Sequence, residues 1–269
     1  MKKIRLSLLV FIIIIISILT IKIYGYDPKT MVFEERSMAP SLKHWMGTDH
    51  AGRDLLARVA YGVLTTLEIS LLGLFFAALV GVTLGGLCGY YFGTWIDSIF
   101  LRIMEIFLSV PPLLSMMAMC TMFSAKTPLA LGIVLGSLSW MTIARLTRIQ
   151  FATLKTASFV EISALQGNSR FYILFSELLP NAFGPICIAM LVTLPSLIMT
   201  ESTLAFLGLN SKNPSLGIIL YDFIQYAAFQ TGAWWQFVFP GLAIIGIVYT
   251  FFYLSEGLQE YFNPRLAQK

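Results

Sequence analysis

Charged side chains are scarce in this chain, where they make up 12% of the 269 residues. In soluble globular domains the charged share is about a quarter. Hydrophobic residues reach 57%, and an ordinary water-soluble domain is therefore excluded. The apolar runs also lack the strict polar and apolar alternation of transmembrane β-strands, which excludes a β-barrel. The composition indicates an α-helical protein of the lipid bilayer.

Histidine and cysteine are also few, with two and three copies. The cysteines are Cys88, Cys120 and Cys187. They lie in separate apolar runs without C-x-x-C spacing, so we interpret them as small buried hydrophobes and not as metal ligands. His44 and His50 accompany Asp49 in one polar segment, which leaves open a membrane-embedded enzyme. Their spacing matches no known ligand pattern, and we predict no catalytic, metal or cofactor site in this chain.

Long apolar runs are abundant, and a membrane-spanning helix needs about 20 such residues. Six runs qualify: Leu6 to Tyr24, Ile69 to Phe92, Phe100 to Phe123, Leu129 to Ile149, Asn181 to Leu207 and Phe237 to Ser255. No small-residue cleavage site follows the core of the first run, so we interpret it as an uncleaved anchor. The prediction is an all-α integral membrane protein with six transmembrane helices.

Basic residues are distributed unevenly between the two sides of these runs. With a cytoplasmic N-terminus, the inner side holds Lys2, Lys3, Arg5, Arg102, Arg145, Arg148, Lys155, Arg170, Arg265 and Lys269. The positive-inside rule then predicts that both termini are cytoplasmic. The excess of basic over acidic residues is explained by the topology in the membrane, so nucleic-acid binding is not expected. The predicted divisions are an anchor helix (1–25), an extracytoplasmic segment (26–65), a transmembrane domain (66–258) and a cytoplasmic tail (259–269).

The segment before the second run contains GTDHAGRD, residues 47–54, which nearly matches a phosphate-binding loop. Arg53 replaces the lysine of that loop and Asp54 replaces its hydroxyl, and a carboxylate there repels phosphate. We therefore predict no nucleotide site. Instead, Gly47 and Gly52 are expected to form turns, while Asp49, Arg53 and Asp54 order the segment through hydrogen bonds and ion pairs.

Two further patterns concern helices near this motif and inside the membrane. Leu55, Val59 and Gly62 recur at helical spacing after the motif and predict an amphipathic helix at the membrane interface. The second and fourth runs contain small residues at four-residue intervals, which predicts close helix packing. These residues are Gly81, Gly85, Gly89, Gly132 and Gly136.

The longest loop on the inner side, about residues 150–180, predicts two short helices joined by a turn. Ser158 and Glu161 match a capping box at a helix start. Gly167 stands where the chain needs a left-handed conformation, and Asn168 or Ser169 follows as a cap for a second helix.

The second helix of this loop is expected to end before Pro180 and is aromatic at Phe171, Tyr172 and Phe175. Such an apolar surface is covered by the protein's own helix ends, by the lipid interface or by a docked partner protein.

Glu161, Gly167 and the Leu-Leu-Pro-Asn181 ending resemble the EAA loop of bacterial ABC-importer permeases. The resemblance extends to the C-type permease subunit of the dipeptide, oligopeptide and nickel transporters. It rests on HWMGTDHAGRD and on three later stretches, Ser202 to Leu209, Trp234 to Ile244 and Glu256 to Leu266. Two positions depart from the pattern: Glu161-Ile-Ser163 replaces Glu-Ala-Ala, and Glu177 stands three residues before Pro180.

The resemblance implies a type I ABC importer permease in the bacterial inner membrane. Its implied partners are a second homologous permease chain, two cytoplasmic ATPase subunits that bind ATP and Mg²⁺, and an extracytoplasmic substrate-binding protein. Cargo stays open among peptides, nickel and metal chelates, and the pathway residues are not identified. The implied coupling-loop residues are Glu161, Ser163, Leu165, Gly167, Arg170, Phe171, Phe175 and Pro180.

The alternative is an ion-coupled secondary transporter, because such proteins place ionisable groups within the membrane. Glu201, in the fifth run, is the best candidate for this role. We expect it to lie toward the outer end of its helix, solvated by the outer vestibule.

Overall fold

The structure is a computed structural model that describes residues 27–209, 211 and 213–262, together with positions 12, 15, 19 and 25. Most of the first predicted span, Leu6 to Tyr24, lies outside the described residues. So does the end of the predicted tail, from residue 263 onward.

Eight α-helices make up the described part of the chain, apart from the first segment. They are α1 (Leu55–Tyr90), α2 (Trp95–Ser109), α3 (Pro112–Met122), α4 (Pro128–Lys155), α5 (Ser158–Leu165), α6 (Arg170–Phe206), α7 (Leu216–Gln225) and α8 (Trp235–Phe262). Four of them, α1, α4, α6 and α8, are long and apolar enough to cross a membrane. With α2 and α3 counted as one bent span, the described residues hold up to five spans, which agrees with the predicted all-α architecture.

The third predicted span, Phe100 to Phe123, is not one straight helix. It breaks between α2 and α3, and the two helices are bent by 84°. Val110 is extended, with φ −96° and ψ 133°, because a residue that precedes proline is pushed out of the helical region. Pro111 and Pro112 also lack the N–H groups that would continue the helical ladder.

The prediction of a separate interfacial helix after the motif is wrong. Asp54 caps α1 by accepting a 2.8 Å hydrogen bond from the Ala57 N–H, and α1 then continues to Tyr90 without a break. Leu55 and Val59 are buried in a core shared with α6, α7 and α8, so this first part of α1 faces protein. The predicted division between residues 65 and 66 lies inside the helix.

The small-residue patterns form the contact between α1 and α4, as predicted. A Cβ atom on Gly85 would lie 2.4 Å from the Ala144 carbonyl oxygen, and one on Gly89 would lie 2.5 Å from the Arg148 carbonyl oxygen. Toward the other end of the helices, a Cβ on Gly136 would lie 2.6 Å from the Gly73 carbonyl oxygen. The two backbones touch because these positions lack side chains.

The helix bundle has two distinct ends. The motif end holds residues 27–54, the start of α1 and the start of α8, where Trp235 contacts Thr48. The loop end holds the end of α4, the helix α5 and the start of α6. These two ends contain the two groups of candidate site residues.

Candidate functional site

At the loop end, α5 begins at Ser158 without the predicted capping box. Ala157 is already extended (φ −78°, ψ 145°) and is the N-cap, and no side chain caps the helix. Ser158 is therefore the first residue inside the helix, from which its hydroxyl cannot serve as an N-cap acceptor. Glu161 is exposed on α5, while Val160 and Ser163 face the protein.

The glycine turn after α5 has the predicted geometry. Gly167 adopts φ +82°, and its N–H donates to the Ala164 carbonyl at 3.0 Å. Ser169 then caps the next helix, since its Oγ accepts a 3.2 Å hydrogen bond from the Tyr172 N–H. Asn168 instead donates from Nδ2 to the Ser163 Oγ at 3.0 Å, which holds the turn against the inner face of α5.

The second loop helix does not end before Pro180, so that prediction is wrong. The segment from Arg170 joins the fifth span in one 37-residue helix, α6. The turns before the proline, Ile173–Leu178, are π-helical. A π-helical segment has wider i to i+5 hydrogen bonding, so the helix continues past a residue that lacks an N–H and whose ring crowds the preceding turn.

Apolar side chains are exposed around this turn. Leu165 is 87% exposed, Phe171 is 74% exposed and Phe175 is 60% exposed. The two phenylalanine rings are parallel, with centroids 6.4 Å apart. They border an apolar groove lined also by Val82, Thr83, Gly86, Leu87, Phe151, Leu174 and Leu179. The loop end therefore presents aromatic and aliphatic surface on a rigid helical element.

At the motif end, both glycines of GTDHAGRD stand where only glycine fits. Gly47 has φ +76° and Gly52 has φ +77°. A Cβ on Gly47 would lie 2.6 Å from the Met38 carbonyl oxygen, and one on Gly52 would lie 1.8 Å from that of Val32. The turns thus bring the preceding segment directly onto the motif.

Asp49 is the centre of a buried ion-pair cluster. Its Oδ2 accepts from Arg53 Nε at 2.6 Å and from Arg58 Nη1 at 2.5 Å. Asp222, on α7, accepts from Arg58 Nη2 at 2.9 Å and from Arg53 Nη2 at 3.4 Å. We define these four residues as the motif-end cluster, which ties the motif and α1 to α7.

Two opposing effects act on the Asp49 carboxyl. Burial raises its pKa, but the charges of Arg58 and Arg53 and the N–H groups of Arg53 and Ala51 lower it more. The net pKa lies below the ordinary value for aspartate. Asp49 therefore stays ionised at neutral pH.

The two histidines of this segment are held in structural contacts. His44 lies between two carboxylates, with Nδ1 2.8 Å from Asp54 Oδ2 and Nε2 3.0 Å from Glu35 Oε2. His50 stacks on Tyr226, with ring centroids 3.7 Å apart, and burial lowers its pKa. Within the described residues, no group of three or more His, Cys, Asp or Glu side chains is arranged to hold a metal ion.

Glu201 is not solvated by an outer vestibule, so that expectation is wrong. Glu201, on α6, is buried in the helix bundle and is only 4% exposed. Hydroxyls of Thr66, Ser202 and Ser215 face the carboxyl, and a buried polar group needs such partners. Because α7 packs across this end of α1 and α6, the position that looked exposed in sequence is covered.

Sequence reasoning missed Arg58 and Asp222, which complete the motif-end cluster. Arg58 was hidden in a stretch interpreted as an interfacial helix, and Asp222 lies 164 residues further on. The available signal was a charged residue within an otherwise apolar run at each position, because such a charge needs a partner when it is buried.

Comparison with known proteins agrees with this architecture. Residues 81–268 match the family model described as "binding-protein-dependent transport system inner membrane component". The dipeptide transport system permease protein DppC of Bacillus subtilis (strain 168) is 34% identical over 87% of this chain and 72% of its own length. The oligopeptide transport system permease protein OppC of Haemophilus influenzae (strain ATCC 51907) is 31% identical over 97% of this chain and 83% of its own.

Among solved structures, a chain of the MetNI methionine ABC transporter in inward-facing conformations has the same fold. The TM-score is 0.58 at 21% identity, over 76% of this chain and 96% of that one. The fold is that of a type I ABC importer permease. The chain belongs to the binding-protein-dependent transport system inner membrane components, as a C-type permease subunit of an ABC importer.

Proposed function

We propose that this chain forms half of the translocation pathway of an ATP-driven peptide importer, together with a second permease chain. Two cytoplasmic ATPase subunits supply the free energy of ATP hydrolysis, and an extracytoplasmic binding protein delivers the peptide. Peptides are preferred over nickel and metal chelates because the similar permeases carry dipeptide and oligopeptide names.

The observation that supports the coupling role is the geometry of the 150–180 loop. The helix α5 presents Glu161, Ile162 and Leu165 outward, and the turn at Gly167 joins it to α6, a single helix of 37 residues. A push on α5 therefore reaches a rigid helix that runs to the motif end, which suits a rigid-body transition of the bundle. We define α5 and the turn to Arg170 as the coupling element.

Charge reversal on the coupling element tests this role. In proteoliposomes with the whole complex, Glu161→Lys is expected to lower peptide uptake about fivefold or more while ATP hydrolysis continues, because the exposed carboxylate no longer matches a basic group on the ATPase. The measurement is labelled-dipeptide uptake per ATP hydrolysed. Glu34→Lys is the matched control, since Glu34 is an exposed glutamate at the other end of the bundle. Uptake at the unmodified rate in Glu161→Lys would remove the coupling role.

Gly167 gives an independent variant of the same element. No atom lies within 4 Å of a Cβ built on it, so substitution acts through the positive φ alone. A valine there costs about 1–2 kcal/mol of backbone strain and misdirects the start of α6, whereas asparagine tolerates the conformation. We expect Gly167→Val to uncouple as Glu161→Lys does, and Gly167→Asn to transport almost normally.

The orientation in the membrane is part of the proposal, with both termini cytoplasmic and the motif end outside. In a background with the three native cysteines replaced by alanine, Leu42→Cys and Gln166→Cys place single thiols on the exposed surface of opposite ends. An impermeant maleimide is expected to label only the first in intact cells and both after permeabilisation. Labelling of Gln166→Cys from outside would reverse the orientation.

A further inference from the structure

The segment formed by the end of α1, the turn after it and the start of α2, residues 90–97, receives three basic side chains from elsewhere in the chain. They are Arg148 and Lys155 of α4 and Arg170 at the start of α6. Arg148 and Lys155 lie on α4, the helix that precedes the coupling element, and Arg170 is the last residue of the coupling element. We define residues 90–97 as the receiving turn.

The strongest of these contacts joins Arg148 to Asp97. Arg148 Nε is 2.5 Å from Asp97 Oδ1, and its Nη2 is 2.7 Å from Oδ2, so the pair is bidentate. Asp97 Oδ2 also accepts from the Gly93 N–H at 3.0 Å, and the guanidinium lies over the Phe92 ring, 4.6 Å from its centroid. Paired charges in a fork geometry fix direction as well as distance.

The other two contacts flank the same turn. Lys155, the last residue of α4, donates from Nζ to the Tyr90 carbonyl at 2.6 Å and lies 5.0 Å from the centre of the Tyr90 ring. Arg170 Nη1 donates to the Tyr91 hydroxyl at 3.3 Å. The receiving turn therefore contacts the coupling element at its last residue, Arg170, and contacts α4 at Lys155, three residues before the coupling element begins.

The receiving turn leads into α2, which packs on the rest of the described chain through one side only, where Phe100 and Met104 join a core with residues of α1 and α4. Of its 15 residues only Asp97, Phe100 and Met104 are buried, and it ends at the 84° bend before Pro111. A helix held by few contacts follows the element to which it is most firmly attached. For α2 that element is α4, through the ion pair with Arg148 and through Trp140, whose ring contacts those of Phe100 and Phe107.

We propose that Asp97 is a positioning residue that transmits displacement of the coupling element to α2 and so to the bent α2–α3 span. The inference rests on the proposed importer function and deepens it, because it identifies the path from the coupling element to the membrane-spanning helices. Arg148 and Asp97 move as one unit, the receiving turn follows, and the bend at Val110 to Pro112 changes direction in response.

The test measures dipeptide uptake per ATP hydrolysed in proteoliposomes of the whole complex. Asp97→Asn removes the charge but keeps the shape, and we expect uptake per ATP to fall about fivefold or more in complexes that still bind the ATPase subunits. Asp97→Glu restores a carboxylate and is expected to recover much of the ratio. Arg102→Gln is the control, since it breaks an ion pair on α2 whose two side chains are 80% and 61% exposed.

A purely structural role predicts a different result, in which less complex assembles and uptake per ATP is unchanged. That result overturns the proposal. If complexes with Asp97→Asn do not assemble, Arg148→Lys takes its place. Lysine keeps the positive charge but cannot make the two parallel hydrogen bonds that Arg148 makes to Asp97. An unchanged uptake per ATP in this variant also overturns the proposal. Glu161→Lys is run in parallel. If it uncouples and the Asp97 variants do not, this inference fails and the coupling role of Glu161 stands; if neither uncouples, both of these fail. The importer function is tested separately, by ATP-dependent peptide uptake in the unmodified complex, and its absence there would remove that function.

Discussion

Replacing Gly85 by valine is expected to cause one of the largest losses of stability available in this chain. Its Cβ would lie 2.4 Å from the carbonyl oxygen and 2.8 Å from the Cα of Ala144. Both are backbone atoms of α4, which cannot turn aside as a flexible side chain does. The whole helix must then move, and the cost is expected at or above the upper end of the roughly 1–3 kcal/mol typical of overpacking.

The measurement is the thermal denaturation midpoint of the purified complex in detergent, with the yield of assembled complex as a second readout. Gly246→Ala is the matched control, since Gly246 lies in α8 with no atom within 4 Å of a built Cβ. Alanine is favoured over glycine in a helix by up to about 1 kcal/mol, so the control is expected to be neutral or slightly stabilising. Normal assembly and stability in Gly85→Val would contradict the packing of α1 on α4.

Arg58→Met is expected to destabilise the motif end by about 3–5 kcal/mol, the usual cost of breaking a buried ion pair by removing one partner. Arg58 is 3% exposed and contacts both Asp49 and Asp222. Methionine has a similar length, so the lost charge dominates over lost volume. Asp49 keeps Arg53, but Asp222 keeps only the longer 3.4 Å contact.

Two variants separate this effect from a general effect of removing arginine. Arg102→Gln breaks an exposed ion pair and is expected to change stability by no more than about 1 kcal/mol. Arg58→Lys keeps the charge but cannot bridge two carboxylates with one planar fork, so its loss should lie between those of the other two. The readout is again the denaturation midpoint in detergent. Equal midpoints for Arg58→Met and Arg102→Gln would show that the cluster does not hold the motif end together.

Several elements followed from local sequence alone. Apolar length predicted the spanning helices α1, α4, α6 and α8, because the bilayer sets how many residues a span needs. The intervals between Gly81, Gly85 and Gly89 predicted a close helix contact, since absent side chains let backbones touch. The glycine at position 167 predicted a positive φ there, because only a residue without Cβ adopts that conformation without strain.

Other elements depended on neighbours that the local sequence does not reveal. The helical spacing of apolar residues after the motif correctly predicted a helix with one buried face. Periodicity alone does not show whether lipid or protein covers that face. In the structure, residues of α6, α7 and α8 cover it. Pro180 looked like a helix end, and the π-helical turns before it let α6 continue. The Ser158 and Glu161 pattern required the helix to begin one residue later than it does.

Local sequence was enough to identify this protein as a helical bundle of the membrane, and its motifs indicated the permease family. Both depend on properties that residues carry locally, such as apolarity, missing side chains and turn geometry. The pairing of the buried charges, in contrast, depends on long-range contacts between helices. Arg58 forms ion pairs with both Asp49 and Asp222, and Arg148 forms one with Asp97, fifty-one positions away. These pairs form because helices that are distant in sequence pack side by side. Buried charges need partners, but which partner each one finds depends on the packing of the helices.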